Sequence, residues 1–218
     1  MRKIFFIILF FPLLGAAQSD STRFGFGGGI SLDWTYRLLQ ADDKELKENF
    51  DTLESADWGF TVRLAAHYKL SEKLDITSGL AFARRGIQID TLAVADTKDL
   101  IDRFSQLEIP VGLRYTFIQK EKYSFHVGGG VFASYLIKHN GRFQELRRET
   151  EYSYSNTDEY NRIGGGAFGT LSFAAALDSN YSLVIDASYR QSLTSIAEGT
   201  LARKLNASGI GISIIHDF

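Results

Sequence analysis

Arg63, Arg85, Arg114 and Arg190, together with Asp33, Glu108 and Asp186, are the charged residues whose setting invites chemistry. Each lies in a stretch that alternates apolar and polar residues, on the polar face, where glycine also recurs. In Leu107–Tyr115, for example, Leu107, Ile109, Val111, Leu113 and Tyr115 share one face, and Glu108, Pro110, Gly112 and Arg114 the other. Glycine leaves room for long guanidinium groups to reach carboxylates across an enclosed space. Such a set would either close a lumen with salt bridges, since unpaired buried charges are strongly destabilising, or line a narrow polar pathway or small-ligand pocket.

The elements that hold these residues read as strands. Period-two alternation recurs over Phe24–Arg37, Trp58–Leu70, Leu74–Arg85, a stretch through Gln106–Tyr115 ending near Phe117, Tyr123–Ile137, about 161–177, Tyr181–Arg190 and Gly209–Phe218. That makes eight strands, an even number. The connections at 71–73, 118–122 and 178–180 are tight, whereas Leu38–Asp57, Gln88–Phe104, His139–Tyr160 and Leu193–Lys204 are long and polar. Short turns on one side and long loops on the other are expected of an outer-membrane barrel. Strands of eleven or more residues exceed the ~9–11 that cross a hydrocarbon layer when tilted. Lipid cannot satisfy a free sheet edge, so the sheet must close. The expected fold is therefore all-β, an eight-stranded antiparallel transmembrane barrel of up-and-down meander. Its apolar face is outside and its mixed face lines the lumen.

Aromatic placement agrees. Tyr36, Trp58, Tyr135 and Tyr189 fall near the long-loop ends, and Tyr68, Tyr115, Phe117, Tyr123, Tyr181 and Phe218 near the short-turn ends. Two girdles of this kind mark the two faces of a membrane.

Composition narrows the function. Among 218 residues there is no cysteine, which excludes disulfides, thiolate metal sites and a cysteine nucleophile. A net charge of −2 gives no basis for nucleic-acid binding. Residues 1–17 start with Arg2 and Lys3, continue through an apolar run to Leu14 and end in Gly15, Ala16 and Ala17. This three-part pattern predicts a signal peptide cleaved after Ala17, leaving 18–218 as the barrel domain. Both mature termini are then expected in the periplasm.

Four features carry a resemblance to the PorT-like outer-membrane β-barrel proteins of gram-negative bacteria. They are the leader ending "GAAQ", the strand "LEIPVGLRY", the glycine-rich "GGGVFASYLI" and the terminal "SIIHDF". The resemblance spans essentially the whole mature chain. It implies contact with outer-membrane lipid and lipopolysaccharide, and recognition of the terminal Phe218 by the barrel-assembly machinery. It also implies a non-catalytic role as scaffold or accessory of an envelope or secretion assembly, with partners met through the long loops. The alternative is a narrow passive channel or small-ligand-binding barrel.

A lipid-modifying enzyme is the less favoured reading. Histidine usually supplies the base in such chemistry, and four are present. His67 and His126 are expected inside near the short turns, and His216 faces out at that end. Only His139 lies near the opposite rim, with no inward serine and carboxylate predicted beside it. Neither metal nor cofactor is expected. The acidic segment 40–57 predicts a short helix from Leu46, Phe50 and Leu53, or a solvated charge run, and 143–160 predicts a continuation of strands five and six above the membrane.

Overall fold

The computed structural model describes residues 23–41, 54–89, 97–145, 150–197 and 201–218. The expected signal peptide and the Leu46–Leu53 helix lie outside the described residues. Alternating β-branched, aromatic and small residues produce nine strands: β1 (Phe24–Ala41), β2 (Glu54–Lys69), β3 (Leu74–Ile89), β4 (Thr97–Gln119), β5 (Tyr123–Glu145), β6 (Thr150–Tyr154), β7 (Ile163–Ala176), β8 (Tyr181–Ser192) and β9 (Leu201–Asp217). Pairing is antiparallel throughout and runs β1-β2-β3-β4-β5-β7-β8-β9 back to β1. The ring therefore has eight members and no edge. The ninth strand, β6, is a spur paired with Gly141–Glu145 of β5, and together they carry the sheet beyond the ring.

Several strands outrun the lengths expected from alternation, mostly toward the long connections. β1 continues past Arg37 to Ala41, and β3 passes Arg85 to reach Ile89. β4 begins at Thr97 and β9 at Leu201, both inside segments that read as loops. Beyond an apolar surround a strand no longer needs an apolar face, so the hydropathy signal fades. The backbone ladder still has every reason to continue, because neighbouring strands satisfy its amides.

The ring has two ends. The turn end carries Leu70–Lys73, Lys120–Lys122, Leu177–Asn180 and the terminal Phe218; the loop end carries the long connections. Outside, the wall is an apolar band: Val131 is 60% exposed and Ile210 68%. Inside, Glu108 and His139 are fully buried. An apolar patch of this extent is foreign to a water-facing surface. Aromatics ring the band at both ends, with Trp34 and Trp58 in edge contact at 4.5 Å and Tyr36 donating to Tyr189 at 3.2 Å near the loop end.

Four register shifts interrupt the ladders of the described residues, one of them between Lys98 and Ile101. Ser105 pairs with Lys138 but Gln106 with Leu136, so Ile137 is an extra residue on β5. Leu136 points inward, Ile137 and Lys138 outward, and His139 inward again. Phe117 is a similar insertion in β4, and the register of β2 on β3 shifts between Ala56 and Phe60.

Candidate functional site

Eight strands leave an interior that side chains can fill, and here they do so in three layers. In the middle lies a belt of charge. Glu108 accepts from both Arg85 and Arg190, the latter at 2.5 Å. Asp186 takes the two ends of the Arg63 guanidinium, whose Nη2 also reaches Ser213 Oγ at 3.3 Å. Asp33 accepts from Ser31 at 2.9 Å and Thr61 at 2.5 Å, with Arg85 Nε 3.8 Å away. The Arg190 guanidinium also lies 5.7 Å from the Phe132 ring centre and 5.8 Å from that of Phe168. Gly112 makes this possible, since a Cβ there would collide with the Phe168 ring. Three arginines thus face three carboxylates across the lumen.

Arg114 stands apart from that belt. Its partner is Asp75, at 2.6 and 2.8 Å, a pairing the sequence did not suggest. The two open a turn-end vestibule of about 370 Å³, which His67, His126 and Asp217 also line. His126 is held by hydroxyls on both ring nitrogens, Thr116 at 2.9 Å and Ser124 at 2.8 Å. His67 Nε2 lies 2.9 Å from Asp217 Oδ1 but out of hydrogen-bond alignment. The lining is polar and charged, unlike the mostly apolar lining of small-molecule sites. Among the described residues no group of three or more donors is placed to hold a metal.

The loop-end layer is apolar. Ile87, Phe104, Leu136 and Leu205 converge from four wall strands, and Ile196 folds in from the connection after β8, with Tyr160 packed against them. This plug was missed because Ile87 falls past the expected end of its strand and Phe104 inside an expected loop. Their parity with Arg85 and Gln106 was the available signal.

Above the plug the structure corrects the expectation for His139. It is not at the start of a loop but within β5, and the bulge at Ile137 turns it inward beside a carboxylate. Its Nε2 is 3.2 Å from Asp102 Oδ1, which also accepts from the Tyr154 hydroxyl at 3.1 Å. The rings of Tyr160 and Phe104 enclose it at 4.4 and 4.8 Å. Burial pushes the Tyr154 phenol above its ordinary range, and the adjacent Asp102 adds to this; burial raises Tyr160 likewise. The nearby hydroxyls serve the main chain of His139, Thr157 accepting from its N–H at 3.1 Å and Ser155 donating to its carbonyl at 2.8 Å. None is held on the imidazole. The cluster is a rim latch between β4, β5 and β6.

The outward side of the terminal strand carries Phe218. Its ring sits 4.5 Å from that of His216, which in turn lies 4.6 Å from Tyr181.

Solved structures share this architecture. Neisserial surface protein A is 12% identical with a TM-score of 0.50, covering 89% of this chain and 97% of its own. The outer membrane protein OprG from Pseudomonas aeruginosa is 14% identical with a TM-score of 0.54, covering 92% and 98%. At these identities the likeness is one of fold. No curated protein matches the chain. The family model for the outer membrane protein beta-barrel domain matches residues 16–198, most of the closed ring. The chain belongs to that outer membrane β-barrel family.

Proposed function

We propose that this protein is a non-catalytic outer-membrane barrel of the PorT-like group, acting as a scaffold or accessory of an envelope assembly. The observation that carries this reading is a lumen shut twice, by the Arg85–Glu108–Arg190 belt and by the Ile87–Phe104–Leu136 plug. What remains to act is the rim, with its β5–β6 spur, and the outer wall. A channel would have to dismantle both barriers. An enzyme would have to expose His139, which is wholly enclosed. Single-channel recording in planar bilayers tests the reading, with no steady conductance expected; steady openings would establish the channel instead. A mild-detergent pull-down from native membranes should co-purify envelope proteins, and recovery of the barrel alone would count against a scaffold.

The proposal includes export by a leader cleaved after Ala17, and an orientation. The turn end and both termini face the periplasm, and the long connections face the cell surface among lipopolysaccharide. A tag inserted near Asn49 or Thr157 should be labelled on intact cells. Labelling at Glu121 instead would overturn the orientation.

A further inference from the structure

The apolar outer wall is broken at one place. On β3, β4 and β5, toward the loop end, Arg84, Arg103 and Lys138 point outward. Register sets them side by side: Arg84 pairs with Ser105, Ser105 with Lys138, and Arg103 with Gly86, two residues beyond Arg84. Both nearby bulges contribute. The extra residue Ile137 turns Lys138 out of the lumen. The shifted register between Ala56 and Phe60 borders a groove of about 310 Å³ lined by Leu32, Trp58, Phe60, Arg84, Gly86 and Arg103.

Charge here is poorly answered by the protein. Arg103 Nε lies 3.8 Å from Asp57, a loose contact. Among the described residues, neither the Arg84 nor the Lys138 side chain has an ion-pair or hydrogen-bond partner. Arginine and lysine on the lipid face destabilise a barrel, and the effect fades only toward the interface. Arg84 sits directly across from Phe60, two residues from Trp58 of the aromatic girdle, which is the level of lipid headgroups. Unanswered cations at that level select anions, and arginine matches phosphate oxygens with its planar fork. Arg84 and Lys138 lie two strand spacings apart, about 10 Å. Three cations spread over that width can engage two phosphates.

We propose that Arg84, Arg103 and Lys138 bind a bisphosphorylated glycolipid of the outer leaflet, its phosphates on the three cations and its acyl chains against Leu32, Trp58 and Phe60. The inference rests on the orientation proposed above, which surface labelling tests separately. A binding assay in micelles is blind to orientation, so either can fail alone.

The test uses the full chain folded in detergent, with retained lipid measured by native mass spectrometry. The probes are a bisphosphorylated diglucosamine lipid, the same lipid stripped of both phosphates, and phosphatidylglycerol. The double variant Arg84→Gln/Lys138→Gln should retain about tenfold less of the bisphosphorylated lipid, as expected for loss of charge-assisted contacts. Lys120→Gln/Lys122→Gln, an equal loss of charge in a turn, should retain as much as the parent. The parent should hold the stripped lipid and phosphatidylglycerol no better than the Arg84/Lys138 variant does. Unchanged retention by that variant, or equal retention of the stripped lipid, would overturn the site. Equal retention of phosphatidylglycerol would overturn the glycolipid assignment. Unaltered heat-modifiability on gels verifies that both variants fold, and neither Arg84 nor Lys138 enters the lumen.

Discussion

Glu108 is enclosed and accepts from two arginines at once, so neutralising it strands two guanidinium groups rather than one. Removing one partner of a buried ion pair typically costs ~3–5 kcal/mol. Glu108→Gln should therefore lower the temperature at which the folded band converts on gels, whereas Glu48→Gln, in the acidic connection, should leave it unchanged. Equal shifts would mean that the belt contributes no net stability. Tyr154 permits a test by pH. Folding raises its phenol pKa because burial, reinforced by Asp102, disfavours the phenolate. Its contribution is fully present below the unfolded value of about 10 and is lost as pH climbs from there through the folded value. Tyr154→Phe should thus remove part of the alkaline decline in stability while forfeiting the hydrogen bond to Asp102 at neutral pH. Denaturant titrations of both proteins at pH 8 and pH 11 measure this, and parallel declines would exclude Tyr154 as the group responsible.

Among the elements, the facing of each strand was legible because the side-chain period of two reports which side meets an apolar surround. Val111 out and Glu108 in follow directly from it. What period alone lacks is register between strands. Asp75 was visible on the inner face, yet nothing local indicated that β3 would set it against Arg114. Bulges are equally hidden: Leu136 and Ile137 are both apolar, so the sequence does not reveal which of them breaks step. That single residue decides whether His139 meets Asp102 or lipid. Asp102→Ala should remove the carboxylate on which His139 and Tyr154 converge. The pairing of Tyr123–Leu136 would be untouched, so the barrel should still form. Its rim latch would not, and limited proteolysis should cut within 143–160 at protease levels that spare the parent. Equal resistance would show that the latch does not hold the spur.

At the scale of the whole molecule, closure depends on the last strand finding the first. β9 pairs with β1 along Gly25–Ala41, and the Phe218 amide adds a bond to the Phe24 carbonyl at 3.0 Å. That bond is made by the main chain. The Phe218 ring, by contrast, is 54% exposed and touches only neighbours on the outer surface, with Phe24 at 6.0 Å and His216 at 4.5 Å. Complete burial of such a ring is worth about 1.5–3 kcal/mol, and this one is half-exposed, so its packing contributes toward the lower figure. A finished barrel should tolerate its loss. The resemblance assigns the terminal aromatic a different task, recognition by the assembly machinery before closure. Phe218→Ala keeps the amide and removes only the ring, which isolates that task from the hydrogen bond. The variant should insert far less protein into the outer membrane of cells, while protein refolded in detergent unfolds at nearly the parent's denaturant midpoint. Parallel losses in both measurements would make Phe218 a packing residue of the seam, and the assembly role would be withdrawn.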